Sequence, residues 1–298
     1  MSPEVNAKGV LNLIKPSGVT SRAVVDRVTR LLPRTKVGHA GTLDPLASGV
    51  LIVCLGAATR LVEHVQRMGK TYRAVIRLGA RSDTLDADGQ VEELDDPRIP
   101  AEIEIQQAVA RQVGQILQRP PRFSALRIKG QRAYDLARSG REVTLAPRPV
   151  RIDRIEIVNY HWPHLELEID CGGGTYIRSI ARDLGAELGC GGLIETLVRT
   201  RIGNFRIEDG VDSSSLTRTT LAAYLHPLIA AVPDLPTLNL DAGQVAAVAQ
   251  GRVLNADSLR LERVPEGEIA LLDNAGQLAA LARGDPSQNT IHPFKVFV

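Results

Sequence analysis

A loop between Gly38 and Gly49 presents one carboxylate, Asp44, directly before Pro45. The glycines of the loop permit backbone angles and close approaches that other residues forbid, and Pro45 favours an extended backbone at Asp44. A carboxylate held in this way can act as a nucleophile, by attack on a sugar carbon as in retaining glycosidases or by addition to an unsaturated ring. An aspartate before proline is also a common turn former, so the loop by itself leaves a structural role open.

A guanidinium, that of Arg178, is expected in the first turn of a helix predicted over residues 176–188. The helix dipole disfavours a cation at this end, and Arg182 adds a like charge four residues on. We therefore expect an anionic partner beside Arg178. The glycines at 172–174 precede the helix, with Thr175 as its expected cap, but they lack the spacing of the nucleotide-binding motifs. They predict no nucleotide cofactor.

Apolar periodicity predicts strands and helices that interleave without a regular strand–helix–strand repeat. Strands are expected over residues 10–14, 50–55, 71–78, 150–158 and 165–170, and helices over 21–32, 57–66, 105–118, 132–138 and 176–188. This order favours a mixed α+β fold over a doubly wound parallel sheet. Two prolines within residues 231–236 predict a linker, and short apolar runs after it predict a small β-rich module. The expected domains are residues 1–232 and 235–298.

Positive charge is concentrated in one part of the chain. The formal net charge is only +2, but residues 111–154 hold eleven Lys or Arg against three acids, Asp135, Glu142 and Asp153. Such an excess suits the neutralisation of nucleic-acid phosphates. A solvated basic surface would have the same composition, so charge alone does not decide between the two interpretations.

The remaining composition argues against several classes of protein. Three cysteines without CxxC spacing indicate neither a disulfide framework nor a zinc site. Residues 1–8 contain no apolar signal region, and the longest uncharged run, residues 45–59, is too short to span a bilayer. We expect a cytoplasmic protein without a membrane partner or a metal, and a monomer by default.

The loop around Asp44 resembles the catalytic motif of the bacterial tRNA pseudouridine-55 synthases, the TruB family. One such match would be weak evidence, whereas several in the family's order are strong evidence. The matching segments are residues 13–18, 39–49, 70–72, 78–79, 82–89, 122–125, 174–179 and 197–200. The resemblance implies an α+β fold with a mixed, mainly antiparallel sheet flanked by helices, followed by a small β-rich domain similar to PUA RNA-binding domains.

The same resemblance implies an activity, the isomerisation of uridine 55 in the T-loop of tRNA to pseudouridine. The target base must first be extruded from its stacked loop, and the family histidine that matches His39 holds the nucleotide out. Tyr72 is expected to stack on the base and can take part in proton transfer, and Arg178 is expected to pair with Asp44. The implied residues are Asp44, Tyr72 and Arg178 for catalysis, and Lys15, His39, Tyr72, Tyr176 and Leu197 for substrate binding.

Family members also grip the tRNA arm with an insertion, which here covers about residues 122–150 of the basic stretch. RNA stem-loops are recognised by shape, phosphates and unstacked bases. Isomerisation changes no oxidation state, so we expect no cofactor. The candidate RNA contacts are Arg127, Lys129, Arg132, Arg141 and Arg148.

Two other functions compete with this interpretation. An RNA-binding or RNA-chaperone protein would keep the basic stretch but could dispense with Asp44, Tyr72 and Arg178. A carboxylate-dependent glycoside hydrolase would need a second acid and an aromatic cleft, and the aromatic content of 3% argues against it. For the isomerase, attack of Asp44 on the sugar and addition to the uracil ring both stay open.

Overall fold

The computed structural model describes residues 7–124, 127–128, 131–132, 145–259 and 261–298, with only the backbone described at 127–128 and 131–132. The strands are β1 Gly9–Lys15, β2 Val37–His39, β3 Ser48–Leu55, β4 Lys70–Leu78, β5 Ala80–Ser82, β6 Val91–Glu93, β7 Gly114–Gln118, β8 Arg127–Ile128, β9 Gln131–Arg132, β10 Arg148–His161, β11 His164–Cys171, β12 Gly192–Ile202, β13 Phe205–Arg206, β14 Val211–Asp212, β15 Leu225–His226, β16 Thr237–Asn239, β17 Leu254–Asn255, β18 Gly267–Leu272, β19 Leu278–Asp285 and β20 Thr290–Val296.

Within the described residues, the helices are fewer than the strands. The α-helices are α1 Ser21–Leu31, α2 Val62–Arg67, α3 Glu102–Arg111, α4 Ile177–Glu187 and α5 Ala242–Ala249, and 3₁₀ helices cover Gly56–Leu61, Leu221–Tyr224, Leu228–Ala231 and Ala256–Leu259. No helix in the described ranges is long and apolar enough to cross a membrane.

A large mixed sheet forms the centre of the molecule. Its main order is β14-β1-β3-β12-β4-β11-β10-β7, with β2, β13 and β15 paired at its sides. All its pairs are antiparallel except β1 with β14 and β3 with β12. The prediction of a mixed, mainly antiparallel sheet is therefore confirmed.

Three strands meet where the candidate catalytic residues lie. On β12, Arg199 pairs with Tyr72 of β4 on one side and with Gly49 of β3 on the other. Gly49 has φ +100°, and a Cβ there would lie 2.2 Å from the carbonyl oxygen of Arg199. Only glycine allows this close approach, so the Asp44 loop joins the sheet beside Arg199, one strand away from Tyr72.

Helices cover the sheet and enclose two apolar clusters. Ile105 of α3 and Ile180 of α4 pack with Ile76 of β4 in the first cluster, and Val28 of α1 packs with Leu51 of β3 in the second. Because both faces of the central strands are covered, the apolar runs of β3 are almost continuous rather than alternating.

The C-terminal residues form a second sheet, β16-β18-β19-β20-β17, beside α5. It has an apolar cluster of its own, which includes Ile269 and Ala280, and other C-terminal residues join a cluster with the large sheet. Leu281 and Phe297 are buried in one cluster with Ile52 of β3 and Leu228. The contact also has polar members, since the ring nitrogen Nε2 of His64 lies 2.7 Å from the Glu268 carboxylate.

The helix predicted over residues 105–118 is shorter in the structure. The helix expected to end near residue 118 ends at Arg111, and residues 114–118 form strand β7 beside β10. Gly114 has φ +104°, which no α-helix accommodates. Ile116 then pairs with Val150, so the ladder with β10 supplies the backbone hydrogen bonds that a helix would have supplied.

The predicted helix ends were correct at α1 but not at α4. Thr20 caps α1 by accepting a hydrogen bond from the backbone N–H of Ala23. Thr175 does not cap α4, because its hydroxyl donates to the carbonyl of Gly172 and the N-cap position is Tyr176. The helix expected over residues 132–138 lies outside the described residues apart from the backbone of residue 132.

Candidate active site

The Asp44 loop is held against the start of α1 by hydrogen bonds to its backbone. The Ser21 hydroxyl donates to the carbonyl of Leu43 and accepts from the N–H of the same residue, at 2.9 Å each. The N–H of Gly18 donates to the carbonyl of Pro45 at 2.8 Å. The backbone on both sides of Asp44 is therefore fixed, so its carboxylate is presented in one position.

Lys15 supports the same loop from beneath. Its ammonium is fully buried and donates to three carbonyls, those of Pro16, Val19 and Pro45. Burial lowers the pKa of Lys15 to about 8, and the nearby negative charge of Asp44 opposes this shift. The described contacts of Lys15 are all with the protein, so the structure shows it supporting the loop, and its predicted role in substrate binding stays a prediction.

Arg178 lies at the floor of the site, as the sequence predicts. Its guanidinium is 2.9 Å from the Asp44 carboxylate and 3.3 Å from that of Asp86. It also donates to the carbonyls of Thr84 and Phe123 at 2.8 and 2.9 Å. The Arg178 side chain is 6% exposed and that of Asp44 is 38% exposed. A buried cation thus orients a carboxylate that still reaches the surface.

Asp86 is the site residue that the sequence analysis missed. It lies in the acidic turn at 82–89, where acids are ordinarily solvated, yet it is buried beside Arg178. Burial raises the pKa of the Asp86 carboxyl, while its hydrogen bond with Thr84 and the charge of Arg178 oppose the shift. The turn is fixed to β12, since Ile194 exchanges backbone hydrogen bonds with residues 85 and 87.

Tyr72 and Leu197 form the apolar wall of the site. Both are 7% exposed, and they belong to one buried cluster with Leu43 of the Asp44 loop and Ile177 of α4. Burial raises the pKa of Tyr72, and the charge of Arg199 together with its hydrogen bond to the phenol opposes this rise. The sequence predictions for both positions therefore converge on one wall.

Tyr176 is half-buried at the N-terminus of α4, next to Arg178. The side-chain amide of Gln118 makes two hydrogen bonds to its backbone, accepting from N–H at 2.8 Å and donating to the carbonyl at 3.1 Å. The guanidinium carbon of Arg148 lies 5.1 Å from the ring centre, within cation–π range. Arg148, predicted as an RNA contact, thus lies beside the pocket and also donates to the carbonyl of Gly174.

For the remaining predicted site residues, the structure gives fewer contacts or no side chain. His39 ends β2 and pairs with Val53, at the start of the Asp44 loop. The backbone of Arg127 and Arg132 belongs to the paired strands β8 and β9, and nothing is described of their side chains. Lys129 and Arg141 lie outside the described residues.

The three cysteines are buried and unpaired, as expected from their spacing, and lie at residues 54, 171 and 190. Across the described ranges, no group of three or more His, Cys, Asp or Glu side chains could hold a metal ion.

The buried ammonium of Lys15 predicts a pH dependence of stability. Between about pH 8 and the ordinary pKa of 10.5, the unfolded chain keeps the Lys15 proton while the folded chain has released it. The free energy of unfolding therefore rises with pH in this window, by up to about 1.4 kcal/mol per pH unit.

Urea unfolding at several pH values tests this contribution. Lys15→Met removes it, so the wild type should gain stability relative to the variant as pH rises through the window. Lys8 is exposed, so the stability of Lys8→Met should change with pH in the same way as that of the wild type. A difference between wild type and Lys15→Met that is constant with pH would contradict the prediction.

Comparison with known proteins gives the family. The N-terminal domain model of the TruB family pseudouridylate synthases matches residues 29–177, and the C-terminal domain model of tRNA pseudouridylate synthase B matches residues 178–232. Proteins named tRNA pseudouridine synthase B from Dehalococcoides mccartyi and Cereibacter sphaeroides are 38% and 42% identical over 294 residues. Each alignment covers 97% of this chain and 96% of the relative.

Solved structures agree with the sequence relatives. A chain in a Cbf5–Nop10–Gar1 complex matches with a TM-score of 0.75 at 27% identity. A chain in an H/ACA ribonucleoprotein bound to a substrate RNA containing 2'-deoxyuridine matches with a TM-score of 0.72 at 26% identity. Both cover 97% of this chain and 85% of theirs. With the matches of its sequence and of its mixed α+β fold in agreement, the chain belongs to the TruB family of pseudouridylate synthases.

Proposed function

We propose that this chain isomerises uridine 55 in the T-loop of tRNA to pseudouridine, with Asp44 as the nucleophile. The observation that carries the proposal is the ion pair between Asp44 and Arg178, 2.9 Å apart. It lies at the edge of the apolar wall that contains Tyr72 and Leu197. A carboxylate oriented by a buried guanidinium, next to a surface on which a planar base can stack, suits covalent attack on a nucleoside.

The reaction balances without a cofactor. In attack on the sugar, an Asp44 oxygen bonds to ribose C1' as the C1'–N1 bond breaks, and uracil leaves with the electron pair. The base turns, its C5 bonds to C1', and the carboxylate is released. If Asp44 instead adds to the uracil ring, its oxygen bonds to C6 and is later expelled. By either route C5 loses one proton and N1 gains one, so no oxidant or metal is required.

The arrangement also accounts for how the base would reach Asp44. The base must leave its stack, at a cost of a few kcal/mol. His39, at the start of the loop, is placed to occupy the vacated position, and Tyr176, half-buried at the N-terminus of α4, offers a further ring beside the pocket. Residues 1–232 then form the catalytic domain, and residues 235–298 form a PUA-like domain that contacts RNA.

The direct test is to incubate the purified chain with an unmodified tRNA transcript and map any pseudouridine. We expect one modified position, uridine 55, and no modification of a transcript in which that uridine is cytidine. Binding without isomerisation would overturn the proposal and favour the RNA-binding protein considered from the sequence.

The basic stretch at residues 111–154 predicts a strong salt dependence of tRNA binding. Each phosphate neutralised by Lys or Arg releases condensed counterions, so the logarithm of the affinity should fall linearly with the logarithm of the salt concentration. Filter binding over a series of salt concentrations measures the slope. A variant with Arg127, Lys129 and Arg132 replaced by glutamine should have a shallower slope, and a flat response in the wild type would contradict the assignment.

A further inference from the structure

Arg199 is among the most deeply buried charged residues in the molecule. It lies on β12 between Tyr72 and Gly49 and is only 1% exposed. Burial of a guanidinium is costly unless its donors are satisfied. Neither the sequence motifs nor the proposed chemistry gives it a role.

The contacts of Arg199 connect both ends of the Asp44 loop. Its Nε donates to the carbonyl of Val50 at 2.8 Å, and its Nη2 donates to the carbonyl of Gly41 at 3.0 Å. These two carbonyls flank the segment that contains Asp44. One planar guanidinium therefore closes the base of the loop, as a rigid fork of donors can.

Arg199 also lies beside Tyr72, its register partner on β4, and side chains of such a cross-strand pair share one face of the sheet. The charge of Arg199 lowers the pKa of the Tyr72 phenol, against the effect of burial. Within the described residues, Arg199 forms no ion pair with a carboxylate. Its charge is therefore not cancelled by a direct partner.

We propose that Arg199 is a positioning residue for the isomerisation, which fixes the base of the Asp44 loop and holds a positive charge beside the Tyr72 hydroxyl. The proposal rests on the proposed function. It explains why β12 carries a buried cation at this register, next to a glycine that admits its backbone. The positive charge also favours the phenolate over the phenol at Tyr72, against the effect of burial.

The test replaces Arg199 and observes Tyr72 directly. A 3-fluorotyrosine is introduced at position 72, and its ionisation is followed by ¹⁹F NMR without RNA. Arg199→Met should raise the pKa of residue 72 and make its ionisation at least about tenfold less favourable, because a neighbouring cation is lost. Arg199→Lys keeps the charge and should restore part of the loss. Arg77 lies on the same strand as Tyr72 but pairs with Glu93 at the surface. Arg77→Met should therefore leave the titration of residue 72 unchanged.

Single-turnover kinetics supply the second measurement. Arg199→Met should lower the rate of pseudouridine formation by about 100-fold with little change in tRNA affinity, as expected when reacting groups are misplaced. If that variant does not fold, Arg199→Lys carries both measurements. A folded variant whose position 72 titrates as in the wild type would overturn the proposal. A wild type that binds tRNA without isomerising it would overturn the proposed function alone, because the ¹⁹F titration needs no turnover.

Discussion

Asp44→Asn is expected to abolish pseudouridine formation, by at least about 10⁴-fold, while tRNA binding persists. The amide keeps the size of the side chain and can still approach Arg178, but it cannot serve as a nucleophile. Within the described residues, Asp44 pairs with Arg178 and not with the basic stretch, so phosphate binding should be retained. A tritium-release assay on tRNA labelled at C5 of uridine measures the activity, and filter binding measures the affinity.

Asp26→Asn is the matched control for this substitution. Asp26 is an exposed helical carboxylate whose described partner is Arg22, so its loss should change neither activity nor binding. Full activity of Asp44→Asn would rule out covalent catalysis by this residue. Loss of both activity and binding would instead indicate that the loop had collapsed.

Arg178→Met should reduce activity by about 10³-fold and also destabilise the fold. The substitution leaves Asp44 without its cation and the buried Asp86 without its ion-pair partner. Loss of one member of a buried ion pair typically costs about 3 kcal/mol or more. The carbonyls of Thr84 and Phe123 lose their donor as well. Urea unfolding measures the stability, and single-turnover kinetics measure the activity.

A double substitution separates the two effects. In Arg178→Met/Asp86→Asn a neutral amide replaces the buried carboxylate, so a large part of the stability should return while the activity stays low. Arg182→Met, four residues along α4 and half-exposed beside Asp183, is the control for loss of charge. If the double variant recovered activity, Arg178 would be needed only to hold Asp86.

Sequence reasoning reached the catalytic pair because each member had a local signal. Asp44 stood in a glycine-bounded loop before a proline, and Arg178 stood in the first turn of a helix, where a cation is disfavoured. Their contact in the structure joins segments more than a hundred positions apart. The local signals indicated that partners were needed, and the family resemblance supplied the pairing.

Asp86 and Arg199 could not be found in this way. An acid in a turn and an arginine in a strand both have ordinary exposed interpretations, and burial is decided by the packing of distant elements. Asp86 is buried because Ile194 of β12 fixes its turn. Arg199 is buried because the Asp44 loop lies over its side chain, which bonds the carbonyls of Gly41 and Val50. The prediction that a helix continues through residues 114–118 was wrong for a related reason. Pairing with β10 decided the structure there against the helical spacing of the apolar residues.

The apolar cluster that β3 shares with the C-terminal residues has a consequence for how the protein unfolds. The last residues of the chain, including Phe297, cover the strand that leads out of the Asp44 loop. Removing them would open the interior of the catalytic sheet to water, although the C-terminal sheet also has an apolar cluster of its own. Because the shared cluster joins the two large sheets, heat or denaturant should melt both in a single cooperative transition.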